Sequence, residues 1–563
     1  MAQRKLLGQI LKEMRKIHEG HIQEALQIQR KQGGAIGEIL VGLGAINRQD
    51  LAKALGLQAG MEVVDLDVLE PTKDALAKID GTTATLLRVM PVRIEGKRLT
   101  VALADPLNAS CLDELRFLSG CEVVGAIADE KSIEKALAKH YGADDVRSMK
   151  NAVEELKKEA ASSSMNLDDK AALAHAAPVV KLLNYILYQA IKDRASDIHL
   201  EPFQNEFRVR YRVDGVLYEM EPPPVALAIA LISRVKVMAN LDIAETRIPQ
   251  DGRIELAIGG RPVDLRVSTL PTAHGESCVM RVLDRSVVQL DLENLGLRAD
   301  DLEGIRRLAQ KPNGIVLVTG PTGSGKTTTL YSVLQEVNEV DTKVITTEDP
   351  VEYDLDGIIQ IPINDEIEVT YARVLRTILR QDPDIILVGE IRDRETAQIA
   401  VEAALTGHLV FSTLHTNDAP SAVMRLVDVG VEPFLISATL EGIVAQRLVR
   451  RICPECREAY QPDPELLREL ELDPAQLAGK QFFFGRGCDK CNFSGFKGRR
   501  AIYEIMPVTE RIKRAVLDKA SGGRLRELAV EEGMRPLRAA GLLAIFDGIT
   551  TVEEVLRETV VER

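Results

Sequence analysis

The chain has 563 residues, is 45% hydrophobic and 28% charged, contains no Trp and carries a formal net charge of −14. That composition fits a globular protein of three to five domains with aliphatic cores. It argues against bulk binding to nucleic acid or to an anionic membrane surface, and no 18-residue apolar run offers a transmembrane helix. The start, Met1-Ala2-Gln3-Arg4-Lys5, leads into a charged amphipathic stretch and not into the apolar block of a secretory signal, so a cytoplasmic protein is expected.

Residues 1–60 carry an internal repeat. Gly8, Leu11, Met14, Ile17, Ile22, Ala25, Leu26 and Gln29 recur 29 positions later as Gly37, Leu40, Leu43, Ile46, Leu51, Ala54, Leu55 and Gln58. Each copy reads as two short amphipathic helices whose apolar positions form a core. Residues 61–142 alternate strand-like and helix-like segments and read as a small α/β domain. A charged and serine-rich stretch, 143–175, reads as a linker. A second α/β domain, 176–290, follows. Its segment Phe207-Arg208-Val209-Arg210-Tyr211-Arg212-Val213 alternates strictly, as a strand with one arginine-lined face does. Arg208, Arg210 and Arg212 are expected in salt bridges.

The span 297–452 holds the chemistry. Ile315-Val316-Leu317-Val318-Thr319 reads as a buried strand, then comes Gly320-Pro321-Thr322-Gly323-Ser324-Gly325-Lys326-Thr327, then Thr328 and a helix. Strand, glycine-rich turn and Gly-Lys-Thr opening a helix is the context of a phosphate-binding loop. Glycines let backbone N–H groups curl around a polyphosphate. Lys326 supplies a point charge, and the Thr327 hydroxyl can ligate Mg²⁺ beside bound ATP. Asp384-Ile385-Ile386-Leu387-Val388-Gly389-Glu390 is an apolar strand with an acid past its C-terminal end, where Glu390 can position Mg²⁺ or polarise an attacking water. A strand running into Glu348-Asp349-Pro350 offers a second carboxylate. His408 and His415 bracket a further strand, and both are expected to sense the γ-phosphate.

Cys453-Pro454-Glu455-Cys456 and Cys488-Asp489-Lys490-Cys491 are two C-x-x-C knuckles. Four thiolates suit tetrahedral Zn²⁺ in a closed, structural site, placing a zinc element at 453–495. The remaining 496–563 reads as helical.

These boxes, in this order, resemble the secretion ATPase superfamily of type II secretion and type IV pilus assembly, in its extension-type members. Arg194-Ala195-Ser196-Asp197-Ile198-His199-Leu200-Glu201-Pro202 matches a family signature ahead of the motor. The resemblance implies a multidomain α/β chain with a RecA-like ATPase core and a preceding PAS-like domain. It implies a cytoplasmic homohexamer that hydrolyses ATP at subunit interfaces, recruited to the inner membrane by platform and anchoring proteins of a pilus or secretion machine. Arg266 and Arg281 match arginines that reach the phosphates from the preceding domain. The N-terminal repeat resembles the family's cyclic di-GMP-binding module, but Leu6 and Ala35 stand where that module has arginines and Arg15 where it has a glycine, so docking to a membrane-anchored partner is preferred. Two rivals are a nucleic-acid motor on the same core, disfavoured by the acidic balance, and a non-hydrolysing scaffold, disfavoured by Lys326, Glu390 and the histidines.

Overall fold

The computed structural model describes residues 7–32, 36–104, 110–141, 176–258, 261–284, 290–470 and 479–559. The linker at 143–175, and Leu6 and Ala35, lie outside the described residues. The chain forms two compact units, Met1–Val287 and Val288–Arg563.

In the first unit the repeat folds as four helices, Leu7–Glu13, Glu19–Gln32, Ile36–Gly42 and Arg48–Ala59. Equivalent positions of the two copies are buried together: Leu11 with Leu40, Ile17 with Ile46, Ala25 with Ala54. The periodicity was therefore the imprint of a shared core. Next comes a four-stranded sheet in the order Glu62–Val63, Glu122–Ile127, Arg98–Leu103, Val89–Glu95. A six-stranded, wholly antiparallel sheet follows, in the order Val216–Glu219, Phe207–Val213, Asp197–Pro202, Gly275–Asp284, Arg261–Thr272, Gln250–Ile258. Arg208, Arg210 and Arg212 pair with Glu206, Glu201 and Asp197, as expected of a solvated face.

The second unit is built on a seven-stranded sheet of β1 (Gly314–Thr319), β2 (Val344–Glu348), β3 (Ile359–Pro362), β4 (Ile385–Val388), β5 (Leu409–Leu414), β6 (Leu440–Ile452) and β7 (Phe496–Pro507). Their order is β3-β2-β4-β5-β1-β6-β7. All neighbours run parallel except β7, which is antiparallel to β6. Strands buried on both faces read as continuous apolar runs, and the alternation sorts them. Ile315, Leu317, Ile386, Val388 and Val410 face one core, while Val316, Val318, Ile385, Leu387 and Phe411 face the other. The stretch from 496, expected to be helical, opens with β7. Its alternating residues pair with β6 from Gly442 to Ile452, and helices begin only at Glu510. The cysteine segment is thus inserted between two neighbouring strands of one sheet.

Four helices frame the sheet's carboxyl end: α1 (Lys326–Val337), α2 (Tyr371–Ile378), α3 (Arg394–Leu405) and α4 (Ala419–Val429). Thr370, Asp393 and Asp418 cap α2, α3 and α4 by accepting from the N–H three residues on, which satisfies donors that would otherwise be orphaned. No side chain caps α1.

Candidate active site

β1 ends at Thr319, and the chain turns through residues 320–325 into α1. Two glycines are required by the geometry. Gly325 has φ +88°, and a Cβ on Gly320 would come within 2.6 Å of the Gln446 carbonyl oxygen and Ser324 Oγ; only glycine tolerates such positions. With no side-chain cap, the first N–H groups of α1 and its positive dipole end are left for an anion. Lys326 Nζ folds back to donate to Gly320 O (2.9 Å) and Pro321 O (3.1 Å). Burial lowers its proton affinity, Glu390 opposes that, and Arg447 adds to it. Pro321, Thr322, Gly323 and Thr327 are exposed, so the loop's outer face is open.

Glu390 lies two residues beyond β4, with its carboxylate only 14% exposed. It accepts from Arg392, and its other oxygen lies 3.4 Å from His415 Nε2. His415 follows β5 directly. Two hydroxyls fix β5 against the end of β4: Ser412 Oγ donates to Val388 O (2.8 Å) and Thr413 Oγ1 to Gly389 O (2.7 Å). Thr319 Oγ1 accepts from Thr416 N at 3.0 Å, tying the histidine loop to the phosphate loop. Lys326, Glu390 and His415 therefore meet at one edge of the sheet.

Two expected residues are placed differently. Glu348, at the end of β2, is buried and turned inward. Its oxygens accept from Tyr331 OH on α1, from Thr346 Oγ1, and from Gln360 Nε2 at 3.2 Å. It braces α1 against β2 and β3. His408 does not join the site. It precedes β5 at the amino end, where Gly314 N donates to its carbonyl (3.1 Å) and its Nδ1 lies 2.9 Å from Ala403 O. Gly314 pairs with Leu409, and Thr319 with Leu414. His408 and His415 are thus separated by the length of a strand, about 20 Å at ~3.3 Å per residue. The expectation that both read one phosphate is corrected: flanking a strand puts two residues at opposite ends of it.

In the first unit, Arg266 stands opposite Arg281 on neighbouring strands, and Arg253 opposite Arg266. All three line a cavity of about 460 Å³ together with Asp197, Asp251 and Ser268. Arg281 Nε lies 3.2 Å from Asp197.

The four knuckle cysteines bring their sulfurs within 4.8 Å of one another, with Sγ–Sγ distances of 3.9 Å (Cys453–Cys488), 3.8 Å (Cys456–Cys491) and 3.7 Å (Cys488–Cys491). A tetrahedron with metal–sulfur bonds of about 2.3 Å has edges of about 3.8 Å, so the donor set fits zinc. Burial pushes the Cys453 thiol up and the Cys456 thiol up to about 12, which a bound cation reverses.

Three neighbours of the site escaped the motif reading. Gln446 Nε2 donates to Ser324 O at 2.6 Å. Arg447 Nη2 donates to Asn417 Oδ1 at 2.9 Å. Tyr331 holds Glu348. The one sequence signal for the first was a Gln inside the apolar run Ile443-Val444-Ala445-Gln446.

The profile of the type II/IV secretion system protein family matches residues 172–557, and that of the MshEN domain residues 59–147, downstream of the helical repeat. The chain is 45% identical to the type IV pilus assembly ATPase PilB of Myxococcus xanthus over 99% of both chains. It is 52% identical to the type II secretion system ATPase E of Vibrio cholerae over 68% of this chain and 76% of that one. Among solved structures, the ATPase DotB of Yersinia pseudotuberculosis shares the fold, with a TM-score of 0.50 and 23% identity over 68% of this chain and 93% of that one.

Proposed function

This chain belongs to the type II/IV secretion system protein family and is an ATPase, and on that premise we propose that it hydrolyses ATP to extend a type IV pilus or a type II secretion pseudopilus. The observation that carries the mechanism is the convergence of Lys326, Glu390 and His415 beside the uncapped start of α1.

The loop residues 320–328, through the backbone N–H groups that all but Pro321 carry and through Lys326, bind the phosphates. Thr327 would offer its hydroxyl to Mg²⁺, which would supply charge neutralisation to the phosphates when bound. Glu390 orders and polarises the attacking water. His415, against Glu390, couples that carboxylate to the γ-phosphate. Glu348 acts through Tyr331 by fixing α1. Arg266 and Arg281 serve the site of an adjacent subunit, in keeping with a homohexameric assembly; a donated arginine raises such rates by about 10³–10⁵. Cys453, Cys456, Cys488 and Cys491 would hold a structural zinc that closes the insertion between β6 and β7. Among the described residues no helix is long and apolar enough to cross a membrane. Work on an inner-membrane platform passes through partner proteins in this reading, with the helical repeat as a docking module.

The test is Glu390→Gln. We expect ATP affinity within about threefold of wild type and turnover lower by about 100-fold or more, the usual worth of such a group. Wild-type turnover in that variant removes Glu390 from the mechanism.

A further inference from the structure

We propose that Arg447 is an additional phosphate-binding cation of the nucleotide site, supplied by the same chain from β6, and that Gln446 beside it sets the height of the phosphate loop. This deepens the ATPase reading above and rests on it.

The register of β6 places both residues. Thr319 and Ala445 form the last pair between β1 and β6, so 446–448 continue alongside the turn after β1 has ended. Gln446 points into it. Its Nε2 holds Ser324 O, and a Cβ on Gly325 would meet that same nitrogen at 3.1 Å and Leu448 at 3.7 Å. Alternation along the strand turns Arg447 to the other face. There Nη2 binds Asn417, two residues past His415, at the start of the loop into α4.

One nitrogen of the guanidinium is unspent. Arg447 Nη1 is buried and has no hydrogen-bond partner. The carboxylates near it are engaged elsewhere: Asp418 binds Arg526, and Glu558 lies 3.0 Å from Arg557. Its cationic neighbour Lys326 rests on two carbonyls and faces Glu390, which Arg392 and His415 already share. A buried donor without a partner is costly. Two neighbouring cations, one at an uncapped helix start and the other with a nitrogen in reserve, fit a ligand with several anionic oxygens. The arginine fork suits phosphate in particular. Gln446 Oε1 and Ser324 Oγ are likewise buried without partners, on the phosphate-loop side of β6.

A rival role is purely structural, with Arg447 bracing Asn417. Equilibrium binding of Mg-ATP to the full-length chain separates the two. Wild type, Arg447→Gln, Arg447→Lys and Lys326→Ala are compared, with the folded fraction of each measured by thermal melting. We expect Arg447→Gln to weaken binding about tenfold or more per folded molecule, the usual worth of a hydrogen bond to a charged group. Arg447→Lys keeps the charge without the fork and should fall between. Affinity within twofold of wild type in Arg447→Gln overturns the proposal, whatever happens to the melting temperature. If that variant does not fold, wild-type affinity in Arg447→Lys overturns it equally. Wild type that binds no ATP, or Lys326→Ala that binds as wild type does, contradicts the ATPase reading instead.

Discussion

The two ends of the parallel sheet are made of the same strands and spend their polar groups in opposite ways. At the amino end every named group closes locally. Asn313 Nδ2 donates to Ala404 O at 3.2 Å, Lys343 N to Asp384 Oδ2 at 2.7 Å, and His408 rests on Ala403 O. At the carboxyl end, Ser324 Oγ, Thr347 Oγ1, Gln446 Oε1 and Arg447 Nη1 are buried without partners. Native proteins rarely leave such atoms unpaired, and those that remain need a reason. A ligand at the carboxyl end supplies one, in keeping with where open α/β sheets bind. The difference teaches that the polarity of the strands, more than the residue types at their ends, decides which histidine stands at the candidate site.

Exchanging the two histidines is the harshest way to break this contrast. We expect His415→Ala to lower steady-state ATP turnover by about 10²-fold, the low end for a group that orients a general base, and His408→Ala to leave turnover per folded molecule within about twofold. A comparable loss in both would erase the distinction between the ends. Metal removal sharpens it more gently. Cys453 directly follows β6, whose Gln446 holds the phosphate loop. A strong chelator should lower the melting temperature by about 5 °C or more, since a structural zinc is folding free energy. ATP affinity of the still-folded protein should change by less than about threefold. A large loss of affinity on chelation would mean that the knuckles reach the chemistry, against the reading of a closed structural site.

Much of this was legible because it was local. The apolar run 315–319, the glycines after it and Lys326 lie within a dozen residues, and their physics is complete in that window. The 29-residue repeat was legible for a similar reason, since matched positions such as Leu11 and Leu40 share one small core. Long-range pairing was not legible. Gln446 meets Ser324 across 122 residues, through a register that no pattern in either segment specifies. The strand at 496–507 was missed because Lys497, Arg499 and Arg500 break the apolar alternation at its start, and its partner, β6, lies 44 residues back by sequence at the Ile452–Phe496 pair. His408 was misassigned for want of one inference available from sequence alone: six strand residues between two side chains are a separation, not a pairing. Glu348 was correctly placed at a strand end, but the buried Tyr331 that turns it inward comes from the far side of the phosphate loop.

Amide hydrogen exchange of the full-length protein, with and without Mg-ATP, tests the central claim most directly. The account expects slowed exchange in the segments 320–328 and 413–417, where backbone N–H groups and the histidine loop close on the phosphates, and unchanged exchange at 403–408. Protection confined to the amino end, or none in 320–328 at saturating nucleotide, would contradict it.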